Sequence, residues 1–301
     1  MIEEPLSMNF AIRYLTSYQY DGDVVDNLNA LRVKPAATAR QRCDEFTVRL
    51  TPEVRLHRHT DYFGTDVVEF EVSRPHQQLT IDVRARVSTK PGADPPQATW
   101  ETLEDPVYRE AGGEFLLQTD DAPEHPAMVE LLATTRAADS PLGMLLLIAE
   151  LIPDRFEYRP GATYVDSTVR DVLNGGAGVC QDFVHLGLCL LRHHGIAARY
   201  VSGYLFAAGS AGGQQSIEVD THAWLEALLP VPGEGEPVWV GADPTNRGLA
   251  GENHVKIGHG RQYSDVPPIK GVYRGSATAM LEASVTMTRL DGVDPASIAR
   301  A

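Results

Sequence analysis

From Phe10 to Val87 the apolar side chains alternate with polar ones. In FAIRYLTSYQY the positions Phe10, Ile12, Tyr14, Thr16, Tyr18 and Tyr20 recur with period two, the repeat of a strand that buries one face. The repeat returns at Phe46, Val48 and Leu50, at Val68, Phe70 and Val72, and through Leu79, Ile81, Val83, Ala85 and Val87. Turn formers separate these runs: YDGD, KPAA, YFGTD and SRPHQ. Many short antiparallel strands with one apolar face predict a β-sandwich domain over residues 8–92.

The pattern changes after the Pro/Gly-rich connector TKPGADPPQATW, which marks the boundary to a second domain at 93–301. Helical spacing appears in PAMVELLATTRAA and in SPLGMLLLIAELI, where Ser140 can cap and Pro141 opens the first turn. A third helix begins inside GGAGVCQDFVHLGLCLLRHHG. Strands are then expected at ARYVSGYLFA, THAWLEALL and VWVGAD, with a loop at GSAGGQQS and a Pro/Gly-rich connection at PVPGEGEP. Alternation in EASVTMTRL predicts a C-terminal strand near 282–290. The fold class is therefore α+β.

Charge and cysteine content narrow the chemistry. The net charge of −15 argues against nucleic acid as a partner, because neutralising phosphates needs clustered Lys and Arg, and against an anionic membrane surface. The longest apolar run, PLGMLLLIAELIP, is broken by Glu150 and too short to span a bilayer. The acidic start MIEEPLSMNF lacks the basic region of a secretory signal, so a cytoplasmic location is expected. Three cysteines, Cys43, Cys180 and Cys189, are an odd number and suggest no disulfide framework. Cys180 and Cys189 are nine residues apart, which at about 100° per residue puts them on opposite sides of a helix. They cannot share a metal ion or form a redox pair, and no metal or cofactor is expected. Cys189, among leucines, is expected in the core.

Cys180 differs. At the first turn of a helix its thiolate would face unpaired N–H groups and the positive end of the helix dipole, which lowers a thiol pKa. A nucleophilic thiol needs a base, and the base needs an orienting group. In DTHAWLEALL, His222, Trp224 and Glu226 share a face; in VWVGADPTN, Trp239, Gly241 and Asp243 do. Antiparallel pairing that sets Leu229 near Val238 brings His222 to the neighbourhood of Asp243.

Three blocks, GVCQDFVHLGLCLLRHHGIAARYVSGYL, DTHAWLEALLP and WVGADPTNRG, resemble those around the nucleophile, histidine and aspartate of bacterial transglutaminase-like cysteine enzymes. NHVKIGHGRQYSDVPPIKGVYRG, and YLTSYQY, LRVKP and DYFGT in the β-domain, extend the resemblance over nearly the whole chain. It implies a papain-like core in which a nucleophile helix packs on an antiparallel sheet. It also implies Cys180 as nucleophile, His222 as general base then acid, and Asp243 as orienting carboxylate. A second oxyanion donor would come from Tyr158, Tyr164 or Gln181. Asp182 is expected to favour the helix dipole, His185 to pack the helix, and His193 and His194 to sit at its C-terminal end. The expected reaction is acyl transfer on amide bonds of a peptide or protein substrate. Hydrolysis is preferred, since no D-x-D-x-D-G calcium loop is present. Protein-glutamine transglutamination and a non-catalytic peptide-binding module are the alternatives.

Overall fold

The computed structural model describes residues 7–207, 216–219, 221–233 and 235–290. The loop expected at 209–216 falls, apart from Ser216, outside the described residues.

The chain opens with five strands: β1 (Met8–Leu31), β2 (Gln41–Thr51), β3 (His57–Thr60), β4 (Asp66–Val72) and β5 (His76–Thr89). They pair antiparallel, and the alternating positions face a common core of Phe10, Ile12, Tyr14, Leu79, Ile81 and Val83. Burial of each such side chain contributes about 1.5–3 kcal/mol. One expectation fails here. The turn predicted at YDGD does not form, and β1 runs on through it for 24 residues. The register with β5 slips between Gln19 and Val24, and Asp26 adopts φ 47°, so the strand bends instead of ending. Beyond the bend its backbone groups find new partners on β4, which removes the need to turn back.

The helices α1 (Pro106–Gly112), α2 (Pro126–Thr135) and α3 (Pro141–Arg155) follow. Ser140 caps α3 as its hydroxyl accepts the Gly143 N–H at 3.0 Å. A short parallel pair, β6 (Glu157–Tyr158) and β7 (Ala177–Gly178), brackets α4 (Val169–Gly175). Then comes α5 (Cys180–His193), the helix expected from the third helical pattern.

The rest of the second unit is strand: β8 (Ala198–Leu205), β9 (Ser216–Val219), β10 (Thr221–Leu229), β11 (Val238–Asp243), β12 (Gly248–Leu249) and β13 (His254–Gly260). Five of these form an antiparallel sheet in the order β12-β11-β10-β8-β13. Helix α5 covers one face, where its apolar side joins Ala223, Leu225 and Ala227 of β10. The contact is close: a Cβ at Gly187 would stand 2.4 Å from Leu225 Cδ2. Alternation sends His222, Trp224 and Glu226 to the opposite face.

The N-terminal unit docks on the outer strand of this sheet. The Gln41 amide donates to the Lys256 carbonyl at 2.7 Å and accepts the Lys256 N–H at 2.8 Å. Thr89 Oγ1 donates to the Glu252 carbonyl, and the buried Tyr204 hydroxyl to the Val33 carbonyl.

The last two strands correct the expected division of the chain. β14 (Ile269–Arg274) and β15 (Ala279–Arg289), placed by sequence within 93–301, both pair with β1, and β9 pairs with β15. The C-terminal strand expected near 282–290 thus lies in the N-terminal sheet. Its Val285 and Met287 complete the apolar core around Phe10 and Ile12, which the first five strands leave open. Among the described residues no helix is long and apolar enough to cross a membrane.

Candidate active site

The loop before α5 is built to hold its first residue. Gly176, at φ 65°, ends α4 in the left-handed conformation that glycine tolerates best, and β7 then leads into Val179, the residue before the helix. Val179 has no side-chain oxygen to cap with. Asp182, at the third helical position, reaches back instead and accepts the Val179 N–H at 2.8 Å and the Thr163 hydroxyl at 2.6 Å. Gly178 permits this approach, because a Cβ there would meet the Asp182 Cβ at 2.8 Å. Burial raises the Asp182 pKa, and its two hydrogen bonds offset only part of the rise. Cys180, first in the helix, is half-buried.

The two strands beside it pair as the alternation implied. Leu229 lies opposite Val238 and Leu225 opposite Ala242, which sets Asp243 diagonal to His222 on the same face. His222 Nε2 and Asp243 Oδ2 are 2.7 Å apart. The Asp243 side chain is 1% exposed and surrounded by donors. Oδ1 accepts the N–H groups of Thr245 (2.9 Å) and Asn246 (3.2 Å). Oδ2 accepts the Asn246 amide (2.7 Å) and His254 Nε2 (3.0 Å) in addition to His222. Burial opposes the carboxylate charge, yet the hydrogen bonds from His222 and His254 hold its pKa far below the usual range.

For His222 the balance also favours charge. Burial disfavours the imidazolium, but hydrogen bonds to Asp243 and Cys180 and their negative charges raise its pKa to about 9. His222 interacts with the Asp243 carboxylate through Nε2 and also with the Cys180 thiol. A thiol, an imidazole and a carboxylate thus stand in series. Such a chain can draw the thiol proton onto the ring and stabilise the resulting charge pair.

His254 escaped the sequence analysis. The signal was there in NHVKIGHG, where His254 and Lys256 alternate with the buried Val255 and Ile257. Its ring orientation follows from its hydrogen bonds: Nδ1 accepts the Gly251 N–H at 3.2 Å, so the proton sits on Nε2 and is donated to Asp243. The nitrogens of His222 and His254 and the Asp243 oxygen are near enough together for one cation. Their lone pairs and protons, however, are already committed to one another. Asp121, Cys189 and His193 form a similar cluster, in which Asp121 accepts from the Cys189 thiol (2.9 Å) and lies 2.7 Å from His193 Nε2.

The remaining candidates have structural surroundings. His185 Nε2 accepts the Tyr263 N–H at 3.3 Å, and burial, aided by Arg192, lowers its pKa to about 4. His194 pairs with the Thr135 hydroxyl at 2.9 Å. Gln181 directs its amide to the Val165 carbonyl, Tyr158 packs edge-on against Phe183, and Tyr164 is exposed. Cys189 is in the core, and Cys43 donates to the Glu45 carbonyl in β2.

Residues 131–244, which include Cys180, His222 and Asp243, match the model of the transglutaminase-like superfamily, and residues 10–88 match that of the bacterial transglutaminase-like N-terminal region. The chain belongs to the transglutaminase-like superfamily. An uncharacterized protein of Mycobacterium leprae is 32% identical over 277 residues, which span 91% of this chain and 96% of that one. An uncharacterized protein of Mycobacterium tuberculosis is 33% identical over 301 residues, or 94% and 93% of the two chains. The fold is also similar to that of a candidate cysteine protease from Cytophaga hutchinsonii, with a TM-score of 0.73 at 23% identity, covering 96% of this chain and 93% of that one. The likeness in fold thus extends over both units of this chain.

Proposed function

We propose that the protein is an enzyme that cleaves peptide or isopeptide bonds through an acyl-thioester on Cys180, with His222 as general base then acid and Asp243 as the orienting carboxylate. One observation carries this reading. His222 stands between a thiol at a helix start and a buried carboxylate, and interactions with both raise its proton affinity. As general base, His222 takes the thiol proton, which makes the sulfur the nucleophile.

The thiolate attacks the substrate carbonyl carbon; a C–S bond forms and the carbonyl electrons move to oxygen. The N–H of Cys180, at a helical position that has no intrahelical acceptor, is suited to hold that oxyanion. Collapse breaks the C–N bond as His222 passes its proton to the departing amine. The neutral ring then takes a proton from the incoming nucleophile, which displaces the thiolate and restores the charge pair. With water the product is a carboxylic acid; with an amine it is a new amide. We favour water, the more abundant acceptor.

A peptide pool incubated with and without a primary amine, for the wild type and Cys180→Ala, tests the reading by mass spectrometry. Hydrolysis products lost in the variant support it. Amine adducts would replace hydrolysis with transglutamination. Iodoacetamide should label Cys180 faster than Cys43 or Cys189; equal rates would point to a binding module that keeps the fold.

A further inference from the structure

We propose that His254 is a positioning residue that sets the proton affinity of His222 by competing with it for Asp243 Oδ2. This rests on the role proposed for His222, and extends it to a residue outside the thiol-imidazole-carboxylate series.

His254 reaches Asp243 from β13, at the far edge of the sheet, across β8 and β10. The Gly251 N–H fixes its tautomer, so that it meets the carboxylate only as a donor. It is as enclosed as His222, with side chains 10% and 11% exposed. Both rings pack against the Trp224 indole, His254 edge-on at 5.2 Å and His222 nearly parallel at 6.3 Å. The indole itself is accommodated by a glycine on β8, since a Cβ at Gly203 would meet it at 2.5 Å.

Asp243 does not need His254 to stay in place, because Thr245, Asn246 and the Asn246 amide hold both of its oxygens. What His254 changes is how much of the charge on Oδ2 remains for His222. Each neutral donor on that oxygen stabilises the carboxylate and weakens its pull on the His222 proton. A base and acid that works near neutrality gains from this restraint, because it has to release its proton to the leaving amine and recover it afterwards.

The titratable groups facing His222 are Asp243 of β11, His254 of β13 and Cys180 of α5. Farther along the same face Glu226 is paired with Arg199 and Lys256, both at 2.6 Å. Arg40 and Lys90 of the N-terminal unit, and Glu252, line a cavity of about 180 Å³ that His254 also borders.

The test is the NMR titration of the His222 ring in a Cys180→Ala background, where the thiol no longer contributes. His254→Asn keeps an acceptor for Gly251 but falls short of Asp243, and His254→Leu fills the space with no donor. Both should move the His222 midpoint up by about one pH unit. His254→Gln, whose amide reaches as far as Nε2, should restore it. An unchanged or lowered midpoint in the Asn and Leu variants overturns the proposal, as does an equal shift in all three. The titration needs no turnover, so an inert Cys180 in the wild type would sink the proposed function while leaving this result readable.

Discussion

Helix α5 carries two thiols, and each has an imidazole and a carboxylate nearby. Around Cys180 the imidazole is next to the sulfur, and the carboxylate of Asp243 lies behind it. Around Cys189 the order is reversed: Asp121 accepts from the thiol at 2.9 Å and meets His193 with its other oxygen at 2.7 Å. The consequences are opposite. A ring beside the sulfur can take its proton and remain as a stabilising cation. A carboxylate beside the sulfur adds to burial in keeping the Cys189 thiol protonated, with its pKa well above the ordinary value. The same three residue types therefore make a candidate nucleophile in one order and a structural hydrogen bond in the other.

Exchanging each carboxylate for its amide should give the largest contrast. Asp243→Asn presents an N–H where His222 and His254 need an acceptor, and its effect should be to lower turnover by about 10³–10⁴-fold. Asp121→Asn should leave turnover within a few-fold of wild type. Steady-state rates on a substrate recovered from the peptide pool decide the matter. Equal losses in the two variants would mean that Asp243 acts through stability and not through His222.

Much of this contrast was legible in the alternation. Period two put His222 and Asp243 on matching faces, and the pairing of Leu229 with Val238 brought them together. The position of Cys189 among leucines announced a core residue, though not Asp121, which lies 68 positions away. What stayed hidden depends on distant partners. β1 passes through YDGD because β4 supplies partners beyond the bend. The C-terminal strands join β1 because its core needs Val285 and Met287. His254 alternates correctly, but nothing local says that β13 pairs with β8 and so aims at Asp243. Helices α1 and α4 have seven residues each, too few to show a repeat.

A second measurement uses pH. The His222 pKa rises from 6.5 in the unfolded chain to about 9 in the folded one. A raised pKa means that the folded state binds the proton more tightly. Its stabilisation is complete below about pH 6.5 and disappears as the pH climbs through 9. Urea midpoints of the wild type and His222→Ala, taken from pH 6 to 10, should converge toward the alkaline end. Lys256, which is not coupled to His222, titrates in both proteins and cancels in the difference. In Cys180→Ala, which lacks one of the groups that raise the pKa, convergence should come at a lower pH. A difference that does not vary with pH would break the link between the ring and its two neighbours.

The smallest effect concerns the silent thiol. Asp121→Ala removes the acceptor of the Cys189 thiol and one partner of His193, whose ring is 25% exposed and can turn to water. The cost should be about 1–2 kcal/mol, read from urea denaturation. Burial does more than Asp121 to raise the Cys189 pKa, and the residue is 1% exposed. Losing the carboxylate should therefore leave Cys189 unlabelled by iodoacetamide in the folded protein, while Cys180 still reacts. Labelling at Cys189 in the native variant would mean that the carboxylate, and not the surrounding leucines, keeps this thiol inert. The order of the three groups would then govern reactivity at both ends of the helix.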